Sequence, residues 1–228
     1  MTRGVLIDAT VPSPATPAGA VLVSPSTRCP TGDAAARPGR RPATTHARIE
    51  AVALQLFAER GFDATTVDQI AAAAGIGRRT LFRYYASKTD LVWGDFAGEL
   101  ARLRDRLART DPAVPVMETV RREVVAFNRL QPDQVGSHRR RMALILGVPT
   151  LLANSTLRFA EWRAVLADFA AARLGARPDA LAPNVLAYSA LGATLAGYEQ
   201  WLRDDGADLE TLLDAALEEL ASGFSQPA

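Results

Sequence analysis

From residue 44 onwards apolar and polar positions recur with a helical period, and nowhere with the two-residue alternation of a strand. Ile49, Val52, Ala53, Leu56 and Phe57 follow i, i+3, i+4, i+7 and i+8, which predicts a first helix with one buried face, stopped at Gly61. Thr65 stands three residues before Asp68, a capping-box spacing with Asp in place of Glu. It predicts a short second helix with Val67, Ile70, Ala71 and Ala74 inward and Gly75 at its end. A third helix is expected from Gly77 to Tyr85. Ser87 is a good N-cap for a fourth, with Asp90 in its first turn. Phe96, Leu100, Leu103 and Leu107 continue that fourth helix. Beyond it, prolines 112, 115, 132, 149, 178 and 183 punctuate further helices, expected at 115–130, 135–147, 150–174, 179–204 and 208–224. The fold class is therefore all-α.

Residues 1–43 have a different texture, with seven of the chain's 14 prolines and almost no aromatic residue. They are expected to be disordered. Their basic end, RPGRRP at 37–42, contains Arg40 and Arg41. It reads as a solvated tail, as residues after an upstream start codon that is not used, or as an arm reaching a DNA minor groove. The division expected is 1–43 basic arm, 44–93 DNA-binding domain, and 94–228 ligand-binding and dimerisation domain.

Composition narrows the function. The 228 residues carry a net charge of +1, so nucleic-acid binding has to come from local clustering rather than bulk charge. One cysteine excludes an internal disulfide and a cysteine-based zinc site. No apolar run is long enough to predict a membrane span, and the N-terminus does not read as a signal peptide, so a cytoplasmic protein is expected. There is no phosphate-binding glycine loop and no nucleophile elbow. His46 and His138 lack metal-ligand partners at useful spacing, so neither a catalytic nor a metal site is expected, and no cofactor. An enzyme in the C-terminal half, or an architectural DNA-binding protein without a ligand, are the rival classes.

The local clustering lies in GIGRRTLFRYYASKTDL, residues 75–91. Small Ala71, then Gly75 four residues on, then Leu81 six further, suits two helices joined by a tight turn, a helix-turn-helix. At about 100° per residue, Leu81 and Tyr85 share the inward side of the third helix, while Arg79, Thr80 and Arg83 face outward. Phe82 and Tyr84 lie on the flanks. Arg78 points partly inward by angle, yet in the first turn its long side chain can swing out. Arginine matches the edge of guanine, a Thr methyl or Phe ring matches a thymine methyl, and a Tyr hydroxyl or Lys88 matches a phosphate.

The phrases F-A-E-R-G-F, T-T-V-x-x-I-A, A-G-I-G, T-L-F-R-Y-Y and S-K-x-x-L within 47–93 resemble the DNA-binding domain of the TetR family of bacterial transcriptional regulators. The resemblance implies a dimer with an N-terminal three-helix helix-turn-helix domain and a C-terminal helical bundle for ligand binding and dimerisation. It implies a double-stranded DNA operator, palindromic for a two-fold dimer, and a small hydrophobic effector that releases a repressor. It also implies phosphate contacts from Thr66, Lys88, Tyr84 and Phe82, and base contacts from Arg78, Arg79, Thr80 and Arg83. The family often has Tyr where this chain has Phe82, so one hydroxyl contact is lost. GRRP before the first helix and DLVWGDF at 90–96 resemble regulators found with mycofactocin biosynthesis genes, which implies a long-chain acyl-CoA effector.

In the C-terminal half, Phe159, Trp162, Leu166 and Phe169 share a helix face. With Phe96, Leu100 and Leu103 they either line a pocket or form plain core, since both use the same residue types. The run HRRRM at 138–142 is a solvated helix start or, through Arg141, a partner for an anionic effector group. The last two helices, with small residues at Ala187, Ala190, Gly192, Ala193, Ala196 and Gly197 and bulk at Leu191, Leu195 and Tyr198, are expected to form a four-helix bundle with a second copy.

Overall fold

The computed structural model describes residues 45–223. Arg40, Arg41 and the rest of the expected basic arm lie outside the described residues. Among the described residues all regular structure is helical: α1 (His46–Arg60), α2 (Val67–Ala73), α3 (Arg78–Tyr84), α4 (Asp90–Trp93), α5 (Phe96–Ala108), α6 (Val116–Phe127), α7 (Val135–Gly147), α8 (Pro149–Leu174), α9 (Leu181–Arg203) and α10 (Leu209–Ser222). The expected α7 is matched end for end, and the other C-terminal helices differ from expectation by no more than a few residues, which is ordinary fraying.

Local chemistry explains the first breaks. The Thr45 side chain accepts from the Arg48 backbone at the start of α1. The second helix is capped one residue later than the sequence pattern suggests. Thr66, not Thr65, is the N-cap, and its reciprocal partner is Gln69, not Asp68. Thr65 is instead buried and donates to the Gly61 and Leu56 carbonyls, closing the α1–α2 corner. At the other end of α2, Ile76 N–H returns to Ala71 and Gly75 N–H to Ala72, a Schellman ending that needs the left-handed backbone of Gly75 at φ 71°.

The expected long fourth helix is two. Ser87, expected as the N-cap, accepts from the Asp90 N–H through Oγ, but the N-cap position of α4 is Thr89, which makes no side-chain cap bond. Gly94, at φ 60°, then breaks the helix, and Asp95 caps a fresh start by accepting from Gly98 N–H. The periodicity of apolar residues carries across this break, which is why the sequence reads as one element. Farther on, Val148 is the sole residue between α7 and α8, which cross at 99°. Pro149 sits in the first turn of α8, where its missing N–H costs nothing.

Two apolar cores result. One joins α1–α4 to α7 and to the C-terminal end of α9, with Ile49, Phe57, Ile70, Leu81, Leu91, Ile145 and Trp201 all buried. The other packs α5, α6, α8, α9 and α10 around Leu103, Val120, Val124, Trp162, Leu166 and Leu217. The helix-turn-helix is thus seated on the C-terminal helices by shared core. In α9, Ala187, Ala190 and Gly197 are used inside the chain: a Cβ on Gly197 would come within 2.9 Å of the Leu213 side chain, so this glycine lets α10 approach. No single described helix is long and apolar enough to cross a membrane.

Candidate nucleic-acid interface and the cavity behind it

The helix-turn-helix presents α3 as the wheel predicts. Leu81 is fully buried and Tyr85 nearly so, while Arg79, Phe82 and Arg83 are exposed. Thr80 is half-buried, more enclosed than its outward angle suggests. Burying Leu81 anchors the helix: truncation to Ala at such a site costs about 2–5 kcal/mol.

Arg78 swings outward, as its place in the first turn allows. Its guanidinium pairs with Asp68 on α2 at 2.9 Å and lies 5.4 Å from the Phe82 ring centroid. Arg83 is 5.6 Å from the Tyr84 ring, and Tyr84 meets the His46 ring edge-on at 4.7 Å. Thr66 is exposed at the α2 start with its oxygen used in the cap.

Lys88 is the surprise on this face. Its ammonium donates to the carbonyls of Phe62 and Thr65 at 2.8 and 3.1 Å and sits 4.2 Å from the Phe62 ring. Lys88 therefore ties the α1–α2 corner to the chain following α3, with at most one N–H left for a phosphate.

Behind the reading head lies a cavity of about 570 Å³, within the range that holds a small-molecule ligand. Ala47, Glu50, Ala51 and Leu54 of α1 form one wall, and Trp93 closes α4 against it. Residues of α5–α9 complete the enclosure, among them Phe96, Arg141, Phe159 and Trp162. These last four are among the expected pocket residues. Leu100, Leu103, Leu166 and Phe169 are not on the wall and are corrected to core. Leu100 and Leu103 share the helix face of Phe96 but are buried in the core formed with α6, α8 and α9, while Glu99 and Arg106 of α5 reach the cavity. On α8, Leu166 and Phe169 lie one and two turns beyond Trp162, past the end of the cavity. Leu191, Leu195 and Tyr198 of α9, expected at a dimer contact, also line it.

The polar lining is organised. Arg141 of α7 pairs with Glu50 of α1 at 2.7 Å. Tyr198 donates to Asn128 Oδ1 at 2.7 Å, and its oxygen lies 2.8 Å from His138 Nε2. Because the tyrosine proton goes to Asn128 Oδ1, His138 donates from Nε2, which in the neutral ring is the Nε2–H tautomer. Burial, helped by the positive charge of Arg141, pushes the His138 pKa down to about 4 and keeps it so at neutral pH. Burial likewise raises the Tyr198 hydroxyl. Of the three arginines in the HRRRM run, Arg141 alone lines the cavity. Arg139 caps the end of α9 through the Trp201 and Asp204 carbonyls, stacking 4.2 Å from the Trp201 ring, and Arg140 is exposed.

Sequence reasoning missed Glu50, His138 and Asn128. A signal was there for two of them. His138, Arg141, Met142 and Ile145 are spaced i, i+3, i+4 and i+7, as are Ala47, Glu50, Ala51 and Leu54, so each set shares a helix face.

Comparison with known proteins agrees with this architecture. Residues 49–92 match the model for bacterial regulatory proteins of the tetR family, and residues 114–225 match that for the MftR C-terminal domain. The chain is 43% identical over 190 residues to a candidate mycofactocin biosynthesis transcriptional regulator, MftR, of Mycobacterium tuberculosis, spanning 83% of this chain and 96% of that protein. The chain belongs to the TetR family. This TetR-family regulator is also 32% identical over 191 residues to the HTH-type transcriptional regulator TcmR of Streptomyces glaucescens, covering 77% of this chain and 84% of TcmR. These relatives are named as transcriptional regulators, not enzymes. The fold is similar to that of the transcriptional regulator FadR from Bacillus subtilis, solved in complex with stearoyl-CoA, with a TM-score of 0.57 and 17% identity over 78% of this chain and 99% of that one. The match to the MftR C-terminal model extends the likeness to mycofactocin-associated regulators from a few phrases to most of the effector half.

Proposed function

We propose that this TetR-family regulator binds a palindromic operator as a homodimer, acts as a repressor, and is released when a small hydrophobic effector enters the cavity. The observation that carries the reading is the composition of the cavity wall. Residues of α1, which packs against α2 in the reading head, line the same space as residues of α5–α9. A ligand there touches both halves, and differential affinity for two arrangements of those halves is what an effector needs. A long-chain acyl-CoA is the effector class we favour, because the apolar wall of Phe96, Phe159 and Trp162 suits an acyl chain and the fold is shared with a regulator solved with stearoyl-CoA.

On DNA, residues 44–93 do the reading, while 94–228 bind the second copy and, together with α1 and Trp93, the effector. Arg79 and Arg83 read bases, with Thr80 at their edge. Tyr84 and Thr66 meet phosphates, Lys88 stands near the backbone but is held mainly by the Phe62 and Thr65 carbonyls, and Phe82 contributes an apolar contact. Arg78 joins them only by leaving Asp68. Leu181, Val185 and Tyr188 form an exposed apolar stripe on α9 that continues through exposed Gly192 and Ala196, and this is the face we assign to the dimer. A two-fold pair of such chains offers its recognition helices to successive major grooves about 34–36 Å apart. The site of action is the bacterial cytoplasm, where the DNA is.

The test is a gel-shift titration of the gene's own upstream region with and without palmitoyl-CoA. Arg79→Ala and Arg83→Ala each weaken specific binding by about 1–3 kcal/mol and relax base preference. Binding indifferent to sequence and to ligand would favour an architectural role, and turnover of the ligand an enzyme.

A further inference from the structure

The Glu50 carboxylate is a junction of three elements. Its Oε1 accepts the Tyr85 hydroxyl at 2.8 Å, and Tyr85 is the residue that ends the recognition helix. Its Oε2 accepts Arg141 Nη2 of α7 at 2.7 Å. Gly94, the break between α4 and α5, lies against the same carboxylate: a Cβ there would come within 2.8 Å of Oε2. Glu50 and Arg141 both line the cavity. The side chains of Glu50 and Arg141 are 17% and 24% exposed, so this charge pair is shielded but not sealed.

Two donors of residues that line the cavity lack partners. Arg141 Nε and Trp93 Nε1 are both buried without a hydrogen bond among the described residues, and both residues line the cavity. Trp93 is 8% exposed. Buried N–H groups left unmade cost about 1–3 kcal/mol each, so the corner favours an incoming acceptor. The neighbouring charges are already compensated: Glu50 by Arg141, Arg106 by Glu123, and Glu99 by Arg102. What the corner asks for is an acceptor oxygen.

We propose that Glu50 is the positioning residue that couples the cavity to the recognition helix: an effector that brings an acceptor oxygen to Arg141 draws the guanidinium off Glu50, and the carboxylate then ceases to hold Tyr85 at the end of α3. The guanidinium is a rigid planar fork, so satisfying Nε with a new partner reorients Nη2 as well. The competition is between two acceptors for one cation in a shielded site, where such bonds are strongest. This inference rests on the reading of the cavity as an effector site. The acceptor can be the thioester carbonyl of an acyl-CoA or the carboxylate of a free fatty acid.

The experiment uses the full chain, its upstream DNA, and the variants Glu50→Gln, Arg141→Gln and their double. Glu50→Gln keeps an acceptor for Tyr85 and removes the charge that holds Arg141, and thermal melts confirm that each variant folds. Without ligand, each single variant binds DNA about tenfold more weakly, within the usual span of allosteric coupling. The double variant is no weaker than either single one, because both break one link. Undiminished binding, or losses that multiply in the double variant, would overturn the proposal.

Three probes complete the test: palmitoyl-CoA, palmitate, and S-hexadecyl-CoA, a thioether lacking the carbonyl oxygen. In the wild type, palmitoyl-CoA or palmitate quenches tryptophan fluorescence and releases DNA, and the more potent of the two identifies the source of the acceptor. S-hexadecyl-CoA quenches but releases poorly, and equal release by it would remove the acceptor requirement. Glu50→Gln still shows the quench but loses most of the release, a split that a purely structural role would not produce. If neither palmitoyl-CoA nor palmitate binds the wild type, the effector class is wrong, while the ligand-free comparison of single and double variants still decides the role of Glu50.

Discussion

Replacing Lys88, the chain's one lysine, with Met separates a structural role from a DNA-gripping one. The substitution keeps the side-chain stem but removes the ammonium that donates to the Phe62 and Thr65 carbonyls at 2.8 and 3.1 Å and stacks on the Phe62 ring at 4.2 Å. Hydrogen bonds to charged groups contribute about 1.5–3 kcal/mol each, and a partly exposed cation–π contact about 0.5–1 kcal/mol. Lys88 is half-buried, so water takes over part of what the carbonyls lose, and the low end of each range applies. The expected loss is then about 3.5 kcal/mol of folding stability, equivalent to a Tm lower by about 7–14 °C for a domain of this size. Urea melts followed by tryptophan fluorescence measure it, at one fixed protein concentration because a dimer's stability depends on concentration. DNA titrations over a salt series run alongside. With the lysine committed to the fold, the slope of log K against log salt falls by less than the roughly 0.9 that one lost phosphate contact produces. Unchanged stability together with a slope change of that full size would refute the reasoning and return Lys88 to the phosphate role that the family resemblance implies.

The neutral His138 makes stability depend on pH. Its folded pKa, pushed down to about 4, lies below the unfolded value near 6.5, so the unfolded state binds more protons between them. Stability is therefore full above about pH 6.5 and falls as pH drops toward 4, by up to about 1.4 kcal/mol per pH unit. His138→Gln flattens that part of a Tm-against-pH curve relative to wild type, and parallel curves would contradict the assignment. Gly75→Ala costs about 1–2 kcal/mol, the penalty of a left-handed backbone at φ 71°. It adds no clash, since nothing lies within 4 Å of the added Cβ, and a much larger loss in a denaturant melt would point to another cause. Val185→Asp on the exposed α9 stripe converts the dimer to monomer in sedimentation velocity and abolishes cooperative operator binding, while a dimer of wild-type stability would move the interface elsewhere.

The all-α class, the number and order of the C-terminal helices, and the direction of each face of α3 are readable from the chain alone. They follow from local rules: the 3.6-residue period, the capping chemistry of Thr and Ser, and the left-handed backbone that glycine adopts cheaply. Arg79 and Arg83 are placed outward by angle, because Leu81 and Tyr85 are the apolar positions that must go in. Where two local solutions were close in energy the sequence misled, as with Thr65 and Thr66, adjacent residues with the same side chain. A hydroxyl that can bond a carbonyl nine residues back is not a local property, and tertiary contact decided between them. The same limit hid the break at Gly94, since the apolar stripe runs through it.

The cavity and its wiring belong to the tertiary structure. Core and pocket use the same side chains, so only packing could separate Phe96, Phe159 and Trp162, which face the cavity, from Leu100, Leu103, Leu166 and Phe169, which do not. The partners of Lys88, Arg78 and Arg141 could not be read either, because a long cation reaches any acceptor within several ångströms in any direction. Glu50 and Arg141 stand 91 residues apart in sequence and 2.7 Å apart in space. Periodicity says which side of its own helix each occupies. Which helix comes to face it is set by how all the apolar faces pack at once, and that is where the link between the cavity and the recognition helix is made.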